Sequence, residues 1–397
     1  MKTFHLLQTP VRNKVVFLRT DYNVPLRNGK VWDAHKIEAS SLTIKYLLRN
    51  NCKIIIGTHL GRPKGRIVKE LKTDPLVKEL KKLFPKIKIT KLNDCIGKDI
   101  KEKIQRAKTK QIFLLENLRF YKEEQANDPA FAHSLADLAD IYVNDAFAVS
   151  HRKHASLEAI THFLPGIPGI QFEKEIIFLN KVLKTKRKSV WIIGGAKLDK
   201  VDFINKALKK ADKVLIGGAL IFAFLKAKGY KVGHSKVDRT SVENAKKILR
   251  KFSARKLVLP LDFVVADKLS PKAKTEIVPY NQIHHQQIGL DLGPKTVELF
   301  KKQLAKAKVI IWNGPLGYSE WVKFSQATKE VGRFLGKMKV LKVVGGGETA
   351  EAIYRFHLER NFSHVSTGGG ATLTFISGKN MPGIKALERN FKKFKRS

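Results

Sequence analysis

The sequence predicts an α/β protein with two doubly wound parallel sheets, and three observations support this fold class. Short runs of apolar, mostly β-branched residues recur along the chain, as is typical of strands buried on both faces of a parallel sheet. Segments with helical spacing lie between many of these runs, and such alternation is the pattern of α/β proteins. The length of 397 residues leaves room for two domains, each with its own core.

Nine apolar runs are the predicted strands. They are residues 15–18, 53–57, 112–115, 141–143, 190–193, 214–216, 257–259, 309–312 and 342–344. One of the intervening helices is predicted over residues 73–84, where leucines recur on one face and Pro75 suits the first helical turn.

A Pro/Gly-rich stretch, "LPGIPGI" at residues 164–170, marks the predicted domain boundary, and a helical pattern follows it. We therefore expect an N-terminal domain over residues 1–170, a linker helix over 171–186 and a C-terminal domain over 187–378.

The chain is strongly basic, with 77 Lys and Arg against 35 Asp and Glu and a formal net charge of +42. This charge indicates either a solvated basic surface or affinity for polyanions such as nucleic acid or anionic membranes. The basic residues run along the whole chain rather than in one block, which favours the solvated surface. The tail "RNFKKFKRS", with phenylalanines between its cations, is the best local candidate for polyanion contact.

Other features of the sequence indicate where in the cell the protein is located. No apolar run approaches the length of a membrane span, and the N-terminus lacks the pattern of a signal peptide. Two cysteines, Cys52 and Cys95, argue against a disulfide scaffold or a cysteine metal site. We expect a cytoplasmic protein of a reducing compartment with no membrane partner.

In the first half of the chain, basic and polar side chains follow four of the predicted strands. Ligands bind beyond the carboxyl ends of strands in open parallel sheets, and the guanidinium fork of arginine suits phosphate and carboxylate oxygens. Any one of these residues could be a surface group, but four such segments together predict a site for a small, highly anionic molecule. The residues are Asp21, Asn23, His59, Arg62, Arg119, His151, Arg152 and His154.

In the second half, glycine-rich turns follow the strands instead. They are "GGAKLDK" (194–200), "GGAL" (217–220), "NGPLGYSE" (313–320), "GGGET" (345–349) and "STGGGAT" (366–372). Backbone N–H groups in such turns and at helix N-termini favour phosphate. Tight packing is the alternative for any single turn, but five turns indicate a nucleotide site. The turns match neither a P-loop nor the protein-kinase motifs, and the two halves together suggest phosphate transfer between two hinged domains.

Seven segments in this order resemble the phosphoglycerate kinase family: "DYNVP", "THLGRPKG", "LLENLRF", "VNDAFAVSHRKHAS", "IGLDLGPKT", "WNGPLG" and "VVGGGET". The resemblance covers nearly the whole chain. It implies two Rossmann-like domains that bend about a hinge, a tail over residues 379–397 that returns to the N-domain, and a monomer. It further implies reversible transfer of a phosphoryl group from 1,3-bisphosphoglycerate to ADP, giving 3-phosphoglycerate and ATP in glycolysis and gluconeogenesis, with Mg²⁺ carried by the nucleotide.

By motif match, the resemblance also implies the site residues. Those for phosphoglycerate are Asp21, Asn23, Lys36, His59, Arg62, Arg119 and Arg152. Those for the nucleotide are Gly194, Gly195, Lys197, Lys200, Gly217, Gly218, Asn313, Pro315, Glu320, Gly346, Gly347, Glu348 and Thr349, with Glu320 at the ribose and Glu348 near the magnesium. Lys36, Lys197, Lys200, Gly368 and Gly369 would act on the transferred group. Phosphoryl transfer depends mainly on positioning and charge stabilisation, so no general base is expected.

Four positions depart from the family pattern. Lys36 stands where the family has arginine, Lys200 comes one residue early, Glu348 replaces aspartate, and Ala219 replaces a third glycine. Lysine keeps the charge but loses the planar fork, so we expect a slowed but working enzyme. The alternative is a fold of this family that has lost catalysis and serves as a basic binding protein. A dinucleotide-dependent dehydrogenase is disfavoured because no G-x-G-x-x-G motif occurs in the right context.

Overall fold

The computed structural model describes residues 2–196, 201–253 and 255–395. These residues fold into two compact units. The first unit runs to Ile177 and also includes the segment from Asn380 onward, and the second unit is Phe178–Lys379. The boundary lies inside the helix predicted as a linker, so each unit includes part of that helix.

The first unit contains short strands and helices in alternation. Its strands are β1 (Val15–Arg19), β2 (Leu26–Arg27), β3 (Lys30–Val31), β4 (Lys53–Gly57), β5 (Ile89–Lys91), β6 (Ile112–Leu114), β7 (Ile141–Asn144) and β8 (Gly166–Pro168). Its helices are α1 (His35–Ala39), α2 (Ser41–Arg49), α3 (Asp74–Leu83), α4 (Lys98–Gln105), α5 (Lys122–Ala126) and α6 (Pro129–Ala136), and α7 (Ile170–Lys184) leads into the second unit.

A parallel sheet forms the centre of the first unit, in the order β5–β6–β4–β1–β7–β8 among the described residues. Residues 16–18 of β1 and 54–56 of β4 are completely buried, as expected for strands covered by helices on both faces. The four strands that the sequence predicts in this half are confirmed.

Strand β8 changes the interpretation of the stretch at residues 164–170. The sequence predicts a domain boundary there, but Gly166–Pro168 pair with β7 as the edge strand of the sheet. An edge strand tolerates proline because one side of its backbone needs no strand partner.

The second unit repeats this architecture and adds a small antiparallel sheet. Its strands are β9 (Ser189–Ile193), β10 (Lys213–Ile216), β11 (Leu257–Val258), β12 (Asp262–Ala266), β13 (Thr275–Pro279), β14 (Ile288–Leu292), β15 (Val309–Asn313), β16 (Leu341–Gly345) and β17 (His364–Val365). Its helices are α8 (Val201–Lys210), α9 (Ile221–Ala227), α10 (Arg239–Lys251), α11 (Pro294–Leu304), α12 (Gln326–Gly336), α13 (Gly347–Arg355) and α14 (Gly370–Ile376).

The main sheet of the second unit is parallel, in the order β11–β10–β9–β15–β16–β17 within the described part of the chain. All five strands that the sequence predicts in this half are confirmed. The sheet β13–β12–β14 is antiparallel. The search for continuous apolar runs does not find it, because four of the five residues of β13 are exposed and only one is buried.

The basic tail forms helix α15 (Pro382–Phe394), which packs on the first unit. The side-chain oxygen of Asn390 accepts a hydrogen bond of 2.6 Å from the N–H of Gly166 in edge strand β8. Its amide nitrogen donates to the carbonyls of Thr161 and Leu164, at 2.6 and 2.7 Å. The tail therefore satisfies backbone groups beside the sheet edge and covers that edge. No helix among the described residues is long and apolar enough to span a bilayer.

Candidate active site

The first unit gathers polar side chains at the carboxyl ends of four neighbouring strands. Asp21 follows β1, His59 follows β4, Arg119 lies in the 3-10 turn after β6, and Arg152 follows the turn after β7. Because the four strands are adjacent and parallel, these segments meet at one edge of the sheet, as the sequence predicts.

Asp21 lies at the centre of this cluster. One carboxylate oxygen accepts a hydrogen bond of 2.8 Å from Lys36 Nζ, and the other lies 3.8 Å from His59 Nε2. Burial opposes ionisation of Asp21, but the positive charge of Lys36, aided by Arg19, outweighs it and lowers the pKa to about 2. Asp21 is therefore ionised at neutral pH and paired with Lys36.

His59 and Arg119 are almost completely buried, with 1% and 3% of their surface exposed. Burial, reinforced by arginine charges and only partly opposed by Asp21, holds the pKa of His59 well below its usual value, so its imidazole is neutral. Burial also lowers the pKa of Arg119 to about 10, which leaves it charged. In the described part of the chain, His59 Nδ1 and Arg119 Nε have no hydrogen-bond partner. Buried polar atoms left unpaired are costly. The oxygens of an anionic ligand would accept a hydrogen bond from Arg119 Nε, and from His59 Nδ1 in the tautomer that carries its proton there.

The other predicted members of this site occupy neighbouring turns. Asn23 Oδ1 accepts a hydrogen bond of 2.8 Å from the N–H of Gly61, which ties the turn after β1 to the turn that carries Arg62. Arg62 itself is exposed. Arg152 Nε donates to His151 Nε2 at 3.3 Å. The structure thus brings the turns that carry Asn23, Arg62 and Arg152 to the same edge of the sheet as Asp21.

A buried ion-pair network lies beneath this edge, and sequence reasoning missed it. Arg19 and Glu124 are completely buried, and their side chains approach to 3.5 Å. Arg19 Nε donates to Ser156 Oγ at 2.7 Å, and Ser156 Oγ donates to Glu124 at 2.6 Å. His154, a predicted ligand residue, instead lies 3.7 Å from Glu124. In the sequence, the only indication of this network is that Arg19 begins the segment "RTDYNVP" at the end of an apolar strand.

In the second unit, three glycine turns pack backbone against backbone. A Cβ added at Gly194 would lie 2.1 Å from the carbonyl oxygen of Pro315, one at Gly218 would lie 2.4 Å from Gly195 N, and one at Gly314 would lie 2.1 Å from the carbonyl carbon of Gly194. No side chain fits at such distances. At these positions the packing of the turns themselves requires glycine.

Two other glycines border open space. Among the described residues, and apart from neighbouring residues of the same segment, no atom lies within 4 Å of a Cβ built at Gly347 or at Gly369. Gly347 is the first residue of α13, and Gly369 directly precedes α14. The first N–H groups of a helix have no partner within the helix, so the start of α13 suits an anionic group. The N–H of Gly368 instead donates to Ser366 Oγ at 3.0 Å.

The remaining nucleotide-site residues of the prediction divide into buried and exposed groups. Thr349 is buried, and its hydroxyl accepts a hydrogen bond of 2.6 Å from the N–H of Gly314, which joins the "NGP" and "GGGET" turns. Asn313, at the end of β15, and Pro315 are also buried. Gly217 packs against Leu316. Gly346 has a positive φ of 96°, and a Cβ there would lie 2.8 Å from Asn313 Nδ2. Glu320 and Glu348 are exposed. Lys197 and Lys200 lie outside the described residues.

A cavity of about 360 Å³ lies beside these turns, entirely within the second unit. Gly195, Gly218 and Pro315 form one side, and Glu320 and Glu348 lie at its rim. The apolar part of the lining includes Phe222, Phe263, Leu290 and Leu292, contributed by α9 and the antiparallel sheet. Sequence reasoning missed this wall because it did not find that sheet. A cavity with an apolar wall and a few polar groups has the character of a small-molecule site.

One buried carboxylate in the wall has a structural role. Asp291 accepts hydrogen bonds from the N–H groups of Leu292 and Ala327, at 2.9 and 3.1 Å. Burial raises its pKa to about 7, although these hydrogen bonds oppose the shift. Among the described residues, no group of three or more His, Cys, Asp or Glu side chains is arranged to hold a metal ion.

An α/β unit with a cationic cluster, together with a second α/β unit that carries a glycine-lined cavity, defines the class of small-molecule kinases. Comparisons with known proteins identify the family. The family model for phosphoglycerate kinase matches residues 6–379. The chain belongs to the phosphoglycerate kinase family.

Similar proteins agree over almost the full length. The chain is 43% identical over 383 residues to a phosphoglycerate kinase of Dictyoglomus turgidum, covering 95% of this chain and 96% of the relative. It is 42% identical to a chloroplastic phosphoglycerate kinase of Arabidopsis thaliana, covering 96% of this chain and 81% of the relative. The solved structure of a phosphoglycerate kinase from Pyrococcus horikoshii superposes with a TM-score of 0.90 at 32% identity, over 98% of this chain and all of that one.

The family establishes the reaction. The chain is a phosphotransferase that moves a phosphoryl group reversibly from 1,3-bisphosphoglycerate to ADP, giving 3-phosphoglycerate and ATP in glycolysis.

The glycines of the second unit give a stability prediction. Gly218→Ala places a Cβ 2.4 Å from backbone at a φ of 65°, whereas Gly347→Ala places one in open space. We expect Gly218→Ala to lower the free energy of unfolding by about 2 kcal/mol or more, and Gly347→Ala to change it by less than about 1 kcal/mol. Urea unfolding followed by circular dichroism measures both. Equal losses in the two variants would contradict the distinction.

The buried network of the first unit gives a pH prediction. Burial opposes ionisation of Glu124, but the contacts with His154 and Arg19 lower its pKa from 4.5 to about 2. Because the folded pKa is below the ordinary value, the ionised carboxylate stabilises the fold above about pH 4.5, and this stabilisation is lost as the pH falls toward 2. We expect Glu124→Gln to destabilise the protein by about 3 kcal/mol at neutral pH.

The difference in unfolding free energy between Glu124→Gln and the unmodified chain should then shrink as the pH is lowered. Glu70→Gln, which changes an exposed glutamate, is the matched control and should alter stability by less than about 0.5 kcal/mol. A difference for Glu124→Gln that stays constant across the acid range would contradict an ionised Glu124.

Proposed function

We propose that the cationic cluster of the first unit binds the phosphoglycerate and that the cavity of the second unit binds the nucleotide. The observation that carries the first assignment is the pair of buried, unpartnered polar atoms, His59 Nδ1 and Arg119 Nε, beside Asp21. Building such atoms into a core costs stability unless a ligand pairs with them. Carboxylate and phosphate oxygens have the matching charge for Arg119.

The second assignment is supported by the arrangement around the cavity. The apolar wall with Phe222 and Phe263 suits a flat base, and Glu320 at the rim suits the ribose hydroxyls. The open N-terminus of α13 at Gly347 suits the phosphates. In this proposal four glycines shape the turns and do not themselves contact the phosphates. They are Gly194, Gly195, Gly217 and Gly218.

Magnesium enters this proposal with the nucleotide rather than as a resident ion. Mg²⁺ is commonly held by one or two carboxylates together with substrate phosphates. Glu348 offers such a carboxylate in the first turn of α13, at the rim of the cavity. The ion would neutralise part of the phosphate charge during transfer.

The residues of the cluster then act by charge and position. The attacking oxygen of the substrate is already ionised, so no side chain needs to remove a proton, and the neutral imidazole of His59 fits a hydrogen-bonding role. Lys36 holds Asp21 and supplies positive charge where charge develops on the transferred group. Gly368 and Gly369 lie in the turn before α14 and are proposed to face the same group.

The proposal extends to a monomer that acts in the cytoplasm. Both cysteines are buried and free, and burial raises the pKa of each thiol, which keeps it unreactive. This state suits a reducing compartment.

Changing Lys36 tests its catalytic role. A bidentate guanidinium adds a hydrogen bond to a charged group worth about 1.5–3 kcal/mol, so we expect Lys36→Arg to raise kcat by about 10- to 100-fold. Lys36→Met, which keeps the length and removes the charge, should lower kcat. A coupled assay with 3-phosphoglycerate and Mg-ATP measures both.

The control is Lys45→Met, which removes an exposed lysine of the neighbouring helix α2 and should leave kcat unchanged. Unchanged turnover in both Lys36 variants would show that Lys36 has no catalytic role. The proposal that Arg119 and His59 bind phosphoglycerate would not be affected by that result.

A further inference from the structure

A second depression of the second unit lies away from the nucleotide cavity. It has a volume of about 1080 Å³ and is bordered by residues just before or at the start of β15, β16 and β17, including Lys308, Leu341 and Ser363. The glycine turns follow the other ends of strands in the same parallel sheet. This groove, which we call the basic groove, therefore lies at the edge of the sheet opposite the nucleotide cavity.

The basic groove has an unusual concentration of positive charge. Among the residues that the structure describes, its lining includes no aspartate or glutamate and six cationic residues, namely Lys181, Arg187, Lys308, Lys339, Lys342 and Arg360. Five of the six are exposed. Those five form no ion pair with any carboxylate among the described residues.

Lys342 differs from the other five cations, because its charged group hydrogen-bonds to backbone carbonyls of the same unit. It is buried, and its Nζ donates to the carbonyls of Leu335 and Met338, at 2.8 and 2.6 Å. It thus caps the C-terminal end of α12. The other five cations have no carboxylate partner among the described residues, and together they would attract a polyanion.

We infer that the basic groove binds the phosphate backbone of single-stranded nucleic acid, a function separate from the kinase reaction. Binding of single strands typically combines a positively charged groove with an aromatic ring on which a base can stack, and Phe362, half-buried, lines this groove. A concave groove of this volume exceeds what a single phosphate group needs. The concave shape fits a flexible single strand better than a flat anionic membrane.

Charge reversal of three groove residues tests the inference in the full-length protein. The probe is a fluorescein-labelled oligouridylate of about twelve nucleotides, followed by fluorescence anisotropy across a salt series. For single strands, each neutralised phosphate contributes about 0.7 to the slope of log affinity against log salt. We expect the combined variant Arg187→Glu, Lys308→Glu, Lys339→Glu to reduce that slope by about 2 and to weaken binding at low salt by at least about tenfold.

The matched control reverses three exposed lysines of the same unit that do not line the groove, Lys228→Glu, Lys231→Glu and Lys247→Glu. It makes the same change in net charge and should bind the oligouridylate nearly as well as the unmodified chain. Kinase turnover should be unchanged in both variants, because the basic groove and the nucleotide cavity lie at opposite edges of the sheet.

Three results would overturn the inference. They are equal losses of affinity in the two triple variants, no binding of the oligouridylate by the unmodified chain, and binding only to vesicles that contain phosphatidylserine. The first would assign binding to the overall charge of the chain, and the last would assign the groove to a membrane surface. Loss of kinase turnover in the groove variant alone would contradict the separation of the two sites.

Discussion

The ion pair between Asp21 and Lys36 is the contact on which the anion site of the first unit depends. Positive charge crowds this edge of the sheet, where Arg19, Lys36 and Arg119 come close, and such groups repel one another at low dielectric. Two carboxylates, the half-buried Asp21 and the buried Glu124, offset part of this repulsion, and both stay ionised with a pKa of about 2. The remaining excess of positive charge favours an anion at this edge of the sheet.

These two carboxylates also fix the positions of the side chains around them. Glu124 holds Arg19 and Ser156 beneath the site, and Asp21 holds Lys36 above it. Removing one partner of a buried pair leaves an uncompensated charge, which costs more than the pair contributes. These contacts hold the neighbouring side chains in place, while His59 Nδ1 and Arg119 Nε have no hydrogen-bond partner among the described residues.

The sequence could predict the frame of both sites because parallel strands leave a strong signal. Their apolar runs are continuous, and the residues that follow them meet at one edge, as Asp21, His59 and Arg119 do. The sequence could not separate glycines that packing requires, such as Gly218, from those beside open space, such as Gly347, because that difference depends on contacts distant in the chain. For the same reason it did not reveal Glu124 as the partner of Arg19, or the apolar wall of the cavity.

The proposed mechanism depends on the binding of phosphoglycerate by His59 and Arg119. It can be measured by isothermal titration calorimetry of the variant Arg119→Met, with 3-phosphoglycerate and with ADP in separate titrations. We expect the affinity for 3-phosphoglycerate to fall by about tenfold or more, and the affinity for ADP to be unchanged. Unchanged affinity for 3-phosphoglycerate would contradict it.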